Sequence, residues 1–410
     1  MTEKKKKIVF VHHGKGIGGA PLTLLTLLKA IDRSQFDCVV LCLFESEASD
    51  LFRREGFETR VVHGISLFPH TTGVWYNAVF LPVFFVRLGL LPLSVVRAAR
   101  VLKRLRPHLV HLNSSSLVAF ALAARWLHIP VVTHVLEHVH HGYFGVRRFL
   151  LSRLLLFCSS AVVCLCRSDA TAFPSSHKLH VIYDSVDPAQ LQASDDPQKL
   201  REALGIPANA PVVGMMGGIS PIKGTLEFLF AAREVLQQKP ETYFVIAGVA
   251  KPATPARTTA LGRLVQGIRT QRNYRLRVEA AASDGVVKEK VRFLEARWEV
   301  GDILKMVDLL VFPSTVPHFA RPLIEAGFLR KPVVASRVGG PEEIVVDGET
   351  GFLVPPRDPH ALAAAVLRIL NNPGLAQRFG EAGYRRASEL FHARENIPKL
   401  LHLVLSFSRT

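Results

Sequence analysis

A strand, a pair of glycines and a helix follow one another twice in this chain, and this repeat constrains the fold more than any other feature of the sequence. The first copy lies in residues 9–31 and contains Gly18 and Gly19; the second lies in residues 212–237 and contains Gly217 and Gly218. A buried strand that passes through glycines into a helix is typical of the opening of a Rossmann-like unit. Two such openings in 410 residues predict two Rossmann-like α/β domains.

Short apolar, β-branched runs alternate with segments of helical spacing along both halves, which predicts two parallel sheets. We expect a first domain at residues 1–187, a second at 188–375 and a C-terminal helix at 376–410. Whether this helix returns to pack on the first domain is left open by the sequence. The predicted strands are 8–12, 38–44, 109–113, 130–134, 161–166 and 180–183 in the first half, and 212–216, 243–247, 291–294, 309–312, 332–335 and 351–354 in the second.

The charge of the chain favours partners that carry phosphate. Lysine and arginine number 51 against 34 aspartates and glutamates, a net charge of +17, while 49% of the residues are hydrophobic, enough for large cores. Nucleotides and anionic lipids fit this excess; no nucleic-acid module is recognisable, so nucleic acid is not an expected partner. Five cysteines without metal-ligand spacing predict reduced, buried thiols, and the N-terminus lacks a signal-peptide core. These features predict a cytoplasmic protein.

Two segments of the first half predict contact with the anionic inner face of the plasma membrane. In residues 94–106, Arg97, Arg100 and Arg104 share one helical face opposite an apolar face, and residues 147–157 combine three arginines with a dense leucine surface. A core helix with a solvated basic edge is the alternative for each segment. The apolar run before them, 79–93, is too short and too interrupted to span a bilayer. A basic insertion at 251–290 is a further candidate contact.

The glycine-rich segment from Gly14 to Gly19 also satisfies the G-x-G-x-x-G pattern of a dinucleotide-binding turn. Glu45, at the end of the second strand, could supply the ribose contact of an NAD-dependent oxidoreductase, although it comes late for that role. Whatever the ligand, this segment places exposed backbone amides at a helix N-terminus, where they can bind phosphate oxygens. The pattern therefore predicts a phosphate ligand and leaves its identity open.

Motifs of the second half resemble those of a known enzyme family. They are the strand end and helix at 312–326, the strand at 331–336, the glycine turn at 339–343 and the D-G-E-T-G-F-L-V segment at 347–354. In this order and spacing they strongly resemble the glycosyltransferases of GT-B fold, of the retaining family-4 type (group 1). The resemblance extends to Gly18 and Gly19 and to residues 217–224. It implies two Rossmann-like domains that face each other across a cleft.

The resemblance implies a donor site for a nucleoside-diphosphate sugar. Glu325, the later carboxylate of an E-x7-E motif, would accept hydrogen bonds from the ribose. Lys223 would neutralise the leaving diphosphate, so that neither a metal nor a cofactor beyond the sugar nucleotide is expected. Leu294 would lie near the base. The other implied donor-binding residues are Gly18, Gly19, Gly217, Gly218, His318, Phe319, Ala320 and Arg321.

Three positions depart from the family pattern. Pro317 replaces the first carboxylate of E-x7-E, Gly218 stands where an arginine is usual, and Leu136 stands where the family has a histidine before an acidic residue. His134 and His138 are the candidate catalytic substitutes. These departures keep open a non-catalytic subunit that binds nucleotide sugar, and the oxidoreductase remains a weaker alternative.

The function predicted from the sequence is transfer of a hexosyl group from a nucleoside-diphosphate sugar to a lipid-linked or surface glycan, with retention of configuration. Its expected partners are the nucleotide sugar, the glycan acceptor and the membrane surface.

Overall fold

The computed structural model describes residues 5–68, 81–192, 196–249, 267–295 and 299–408. The chain forms two compact units, Met1–Ser185 with Ala393–Thr410, and Val186–His392. Each contains one fully parallel sheet with helices on both faces. The prediction of two Rossmann-like α/β domains is confirmed.

The first domain has a seven-stranded sheet in the order β3-β2-β1-β4-β5-β6-β7. Alternation along β1 sends Val9 and Val11 into one core and Ile8 and Phe10 into the core on the opposite face. The strands are β1 Lys6–His12, β2 Phe36–Cys42, β3 Glu58–Val61, β4 Leu109–Leu112, β5 Val131–Val135, β6 Ala161–Cys164 and β7 Leu179–Val181. The helices are Gly19–Ala30, Glu47–Arg54, Leu81–Gly89, Leu91–Leu105, Val118–Trp126, Val146–Cys158, Arg167–Ala170 and Ala393–Ser406, and a 3-10 turn spans Tyr143–Gly145.

The second domain has a six-stranded sheet in the order β10-β9-β8-β11-β12-β13, and all six strands predicted for this half are present. They are β8 Val212–Met216, β9 Tyr243–Val249, β10 Val291–Glu295, β11 Leu309–Phe312, β12 Val333–Ser336 and β13 Gly351–Val354. The helices are Pro197–Ala203, Thr225–Gln238, Gly267–Ala282, Gly285–Lys290, Val300–Met306, Arg321–Phe328, Gly340–Ile344, Pro359–Leu370 and Pro373–Leu390, with 3-10 turns at Pro188–Leu191 and Pro221–Lys223.

The structure differs from the sequence prediction in two elements. Strand β3 was not predicted, because its E-T-R-V sequence is polar and lies at the sheet edge, where only one neighbour pairs with it. The segment predicted as a C-terminal helix from residue 376 is two helices: Pro373–Leu390 belongs to the second unit and Ala393–Ser406 to the first.

The C-terminal helix Ala393–Ser406 packs on the first domain. Leu400 and Val404 lie in the same core as Ile8 and Phe10, and Lys6 Nζ donates to the carbonyl oxygen of Ser408 at 3.0 Å. The helix therefore completes one face of the first sheet.

Within the residues described, no helix is both long and apolar enough to cross a membrane. Residues 251–266 of the predicted basic insertion at 251–290 and the first two residues of the apolar run at 79–93 lie outside the described residues. All five cysteines are free thiols, and four of them are buried.

Candidate functional site

The carboxyl edge of the second sheet carries a glycine turn after β8, next to the end of β11. Strand order reverses direction at β8, which lies between β9 and β11. Ligands of doubly wound α/β domains bind at such switch points. The amides of Gly217 and Gly218 both donate to the carbonyl of Ala247, at 3.1 and 2.9 Å, which holds the turn against β9. A Cβ on Gly218 would lie 2.3 Å from the Gly248 carbonyl oxygen, so the two backbones meet where side chains have no room.

Lys223 lies at the end of the 3-10 turn that follows these glycines. Its Nζ is 2.7 Å from His318 Nε2 and 5.5 Å from the centre of the Phe312 ring. Burial lowers the pKa of Lys223 to about 8, since the ammonium loses hydration. The ammonium is therefore held in place at an apolar wall, in an environment that an anionic ligand would improve.

His318 is oriented by its other ring nitrogen. Nδ1 lies 3.2 Å from the carbonyl oxygen of Val316 and 3.0 Å from Ser314 Oγ. Because a carbonyl oxygen only accepts, we assign the proton to Nδ1, which leaves Nε2 to accept from Lys223. His318 thus fixes the lysine and links the turn after β8 to the loop after β11.

Glu325, the predicted ribose ligand, is buried on helix Arg321–Phe328 and paired with Arg321 one turn earlier. Arg321 Nε donates to Glu325 Oε1 at 2.9 Å. A ribose hydroxyl that reaches this carboxylate must share it with the guanidinium. Arg321 and Glu325 therefore act as one unit, although the sequence predicted them as two separate donor contacts.

The backbone at 318–320 is tightly enclosed. Ala320 is fully buried, and a Cβ on Gly340 would come within 2.8 Å of the His318 carbonyl oxygen and the Phe319 Cα. The glycine turn after β12 therefore fixes the path of the loop that leads into helix Arg321–Phe328. This loop carries the predicted donor-binding residues His318, Phe319, Ala320 and Arg321.

Three other predicted donor contacts, Leu294, Gly18 and Gly19, lie elsewhere in the fold, and Gly19 is the first residue of helix Gly19–Ala30. Leu294, on edge strand β10, is partly buried against the cluster that includes Val212 and Val307. In the first domain, Gly18 caps helix Gly19–Ala30, and a Cβ at Gly18 would have no heavy atom within 4 Å among the described residues. Backbone at this helix N-terminus is thus open to a ligand.

The carboxyl edge of the first sheet holds a row of buried polar side chains on adjacent strands. Asn113 Nδ2 lies 3.1 Å from His12 Nδ1, and Asn113 follows β4, beside β5, which carries His134. Burial lowers the pKa of His134 to about 4, and Asp184 and Glu137 oppose this shift in part. His134 Nε2 has no hydrogen-bond partner in the described part of the chain. This predicted catalytic histidine is therefore inside the domain and neutral near pH 7.

Glu137 and His138 lie just beyond that row, each held by polar partners. One oxygen of Glu137 accepts from Ser114 Oγ at 2.7 Å, from the Ser115 amide at 2.7 Å and from Ser115 Oγ at 2.6 Å. His138 Nδ1 lies 2.9 Å from Asp169 Oδ1, and its side chain retains some exposure. A carboxylate that orients a partly exposed imidazole is the arrangement of an acid–base pair.

The partners of Glu137 and His138 were not predicted from the sequence. The serines at 114–116 follow β4 and Asp169 follows β6, and polar residues after parallel strands are a signal that could have found them. Their contacts with Glu137 and His138 depend on the strand order, because they are 22 or more residues apart in the chain. Across the described ranges, no three histidine, cysteine or acidic side chains are grouped to hold a metal ion.

Two Rossmann-like domains, each with a fully parallel sheet, are the architecture of the GT-B class, and the comparisons agree. Residues 17–190 match the family model "Glycosyltransferase Family 4" and residues 196–386 match "Glycosyl transferases group 1". The chain belongs to the GT-B glycosyltransferases of this family.

Similar proteins extend this result. HepE of Anabaena, solved with UDP and glucose, has 22% sequence identity and a TM-score of 0.78 over 98% of this chain and 99% of that one, which shows the fold. The D-inositol 3-phosphate glycosyltransferase of Corynebacterium urealyticum is 29% identical over 68% of this chain and 64% of its own length. The D-inositol 3-phosphate glycosyltransferase of Corynebacterium efficiens is 30% identical over 46% of this chain and 42% of its own length. The chain spans less than two thirds of the length of these two curated relatives.

Proposed function

We propose that the protein transfers a hexosyl group from a nucleoside-diphosphate sugar to a hydroxyl group of a lipid-linked or surface glycan. The observation that carries the donor half is the Lys223 ammonium, which lies half-buried at the carboxyl edge of the second sheet and is held by His318. A positioned ammonium stabilises the charge that develops on a leaving diphosphate. Family membership supports this donor class, and retention of anomeric configuration is proposed from the family resemblance alone.

In the proposed reaction the bond between the anomeric carbon and the diphosphate oxygen breaks, and the new bond forms to the acceptor oxygen. Lys223, the amides of 318–321 and the N-terminus of helix Arg321–Phe328 would receive the leaving group. The Arg321 and Glu325 pair would bind the ribose. Neither a metal ion nor a further cofactor is part of the proposal.

On the acceptor side, His138 is the better placed of the two candidate histidines. Asp169 fixes its imidazole and its side chain reaches the surface, whereas His134 is enclosed in the domain. We propose that His138 binds the acceptor hydroxyl or takes up its proton. Glu137, held by Ser114 and Ser115, would lie beside it as a hydrogen-bond acceptor.

We propose that the protein works at the inner face of the plasma membrane, on the cytoplasmic side. Helix Leu91–Leu105 supports this idea, since Arg97, Arg100 and Arg104 are exposed while Ala98 and Leu102 are buried. The free thiols suit a reducing compartment.

A subunit that binds nucleotide sugar without turnover is the second candidate. Pro317 in place of a carboxylate and Gly218 in place of an arginine favour it, because each removes a polar group from the donor side. An assay for slow hydrolysis of the donor by the purified chain separates the enzyme from the non-catalytic subunit. Turnover supports the enzyme, and binding with no turnover under any condition supports the subunit.

The donor site is tested by thermal shift with UDP, GDP, ADP, NAD and their sugar conjugates, beginning with UDP-glucose, with which HepE has been solved. A ligand at 100 times its Kd adds about 2.7 kcal/mol of stability. We expect one nucleoside diphosphate to raise the Tm of the wild type and of Lys288→Gln, an exposed lysine of the same domain, but not of Lys223→Gln. A shift with NAD alone, or an undiminished shift in Lys223→Gln, would contradict the proposal.

The pH dependence of binding gives an independent check. The pKa of Lys223 is lowered to about 8, so the ammonium is present below pH 8 and is lost above it. A bound diphosphate favours the ammonium, which couples binding to the uptake of one proton above pH 8. We expect Kd, measured by calorimetry, to rise up to about tenfold per pH unit above 8 and to be nearly flat in Lys223→Gln. A wild-type Kd that is constant to pH 9.5 would exclude this role for Lys223.

A further inference from the structure

Exposed large apolar side chains are concentrated in one stretch of the sequence of the first domain. Among the described residues, eleven of the sixteen such side chains lie between positions 85 and 157. They are Phe85, Val86, Leu88, Leu90, Leu93, Trp126, Phe144, Val146, Phe149, Leu150 and Phe157. The other five are spread through positions 181–293. Where such side chains share one surface, they mark an interaction site.

Helix Val146–Cys158 is apolar on both of its faces. Leu151, Leu155 and Cys158 are buried in the core of the first domain. On the outer side, Phe149 is 52% exposed and Phe157 is 62% exposed. The inward face alone suffices to anchor the helix, so the outward aromatic face is available for a partner.

Helix Val118–Trp126 continues this outer face. The guanidinium of Arg125 lies 5.0 Å from the centre of the Phe157 ring, and the neighbouring Trp126 is 62% exposed. The guanidinium of Arg153 lies 3.6 Å from the centre of the Phe149 ring. Cations and aromatic rings are thus interleaved on one surface, which we call the aromatic face: Trp126, Phe144, Val146, Phe149, Leu150 and Phe157.

The charge around the aromatic face has one sign. Between positions 81 and 158 the sequence has ten basic residues and a single acidic one, Glu137, whose carboxylate is engaged by Ser114 and Ser115. The basic residues are Arg87, Arg97, Arg100, Lys103, Arg104, Arg106, Arg125, Arg147, Arg148 and Arg153. The complementary partner is therefore anionic as well as apolar.

A cavity of about 330 Å³ opens at the edge of the aromatic face, between helix Val146–Cys158 and residues 171–174. Phe149 and Arg153 line both the cavity and the aromatic face. His141, Arg148 and Ser152 complete its polar wall, and Arg148 Nε is anchored on the carbonyl oxygen of Ala172 at 3.4 Å. Guanidinium groups beside a hydroxyl group suit a phosphate group.

We propose that the aromatic face docks on an anionic phospholipid bilayer, with its rings and leucine in the interfacial layer and a lipid phosphate in the adjacent cavity. A bilayer supplies the apolar and anionic chemistry together, and aromatic side chains flanked by arginine favour its headgroup region. This inference rests on the proposed membrane-side function, to which it assigns the docking residues. It differs from purely electrostatic adsorption through Arg97, Arg100 and Arg104, because insertion of apolar side chains resists salt.

The test is sedimentation of the full chain with vesicles of phosphatidylcholine, with and without phosphatidylglycerol. We expect binding to the anionic vesicles that persists at 0.5 M salt, and at least about tenfold weaker binding of the double variant Phe149→Ser, Phe157→Ser. Phe230→Ser, a phenylalanine of the second domain that is 44% exposed, is the matched control and should bind as the wild type does. Arg148→Gln with Arg153→Gln should remove the preference for the anionic lipid, and free inorganic phosphate should not restore it.

Two outcomes would overturn the inference. One is a double phenylalanine variant that binds vesicles as well as the wild type. The other is a wild type that ignores vesicles and is a dimer in light scattering, with a monomeric double variant, which would make this face a contact between copies. The nucleotide-induced Tm shift is measured on the same preparations. If the wild type shows the Tm shift but does not bind vesicles, only the docking proposal fails. If it binds vesicles but shows no Tm shift, only the donor site fails.

Discussion

Single glycines decide whether the loops around Lys223 can approach one another. Gly224, which ends the turn carrying Lys223, has φ +75°, and a Cβ there would lie 1.8 Å from the Pro313 carbonyl oxygen. Gly348 has nearly the same backbone, φ +78°, but a Cβ there would meet no described atom within 4 Å. The two positions therefore separate the cost of a left-handed backbone from the cost of a close contact.

We expect Gly348→Ala to lower the free energy of unfolding by about 1 kcal/mol, the conformational cost alone. Gly224→Ala should lower it by about 3 kcal/mol or more, because the Pro313 carbonyl must also move away. Urea unfolding of both variants measures the difference. Equal losses would show that the loops around Lys223 are looser than the contact distance indicates.

At the same scale, sequence patterns identified Lys223 and Glu325 but not their partners. The patterns record residue types at fixed spacing, whereas the contact of Lys223 with His318 joins residues 95 positions apart. The pair of Arg321 and Glu325 is one helical turn apart and could have been predicted from the i, i+4 spacing.

At the scale of elements, the C-terminal helix Ala393–Ser406 belongs to the core of the first domain. Leu400 and Val404 are buried beside β1, whereas His402 on the opposite side is exposed. An amphipathic helix docked in this way is stabilised by packing more than by its own propensity.

We expect Leu400→Ala to destabilise the first domain by about 2–5 kcal/mol, because it leaves a cavity against β1. The exposed control His402→Ala should change stability by less than about 0.5 kcal/mol. Hydrogen exchange of the β1 amides reports the effect within the first domain. If β1 exchanges at the wild-type rate in Leu400→Ala, the helix is not part of that core.

At the scale of the whole molecule, the two domains should respond differently to acid. Burial lowers the pKa of His12 to about 3 and of His134 to about 4, and it lowers the pKa of His111 as well. All three belong to the first sheet. The unfolded chain takes up their protons below pH 6.5 while the folded domain does not, so folding stability falls as the pH drops from about 6.5 towards 4.

We expect the first domain to unfold at a lower urea concentration at pH 5 than at pH 7, by the equivalent of a few kcal/mol. Hydrogen exchange at both pH values, corrected for intrinsic rates, assigns the loss to β1, β4 and β5. His134→Gln should reduce the dependence, and the exposed His360→Gln should leave it unchanged. A pH-independent first domain would mean that these histidines are hydrated in solution.

The sequence predicted the two Rossmann-like domains, twelve of the thirteen strands and the glycine turns; donor binding by the loop at 318–321 stays a prediction. These features depend on local periodicity and on residue types at fixed spacing, which the chain displays directly. It did not determine edge strand β3, whose polar residues lack the buried pattern, or the division of the last 35 residues between two units. Which side chains meet depends on the tertiary structure: Lys223 meets His318, Glu137 meets the serines, and His138 meets Asp169. Those contacts arise because parallel strands distant in sequence end at one edge of a sheet.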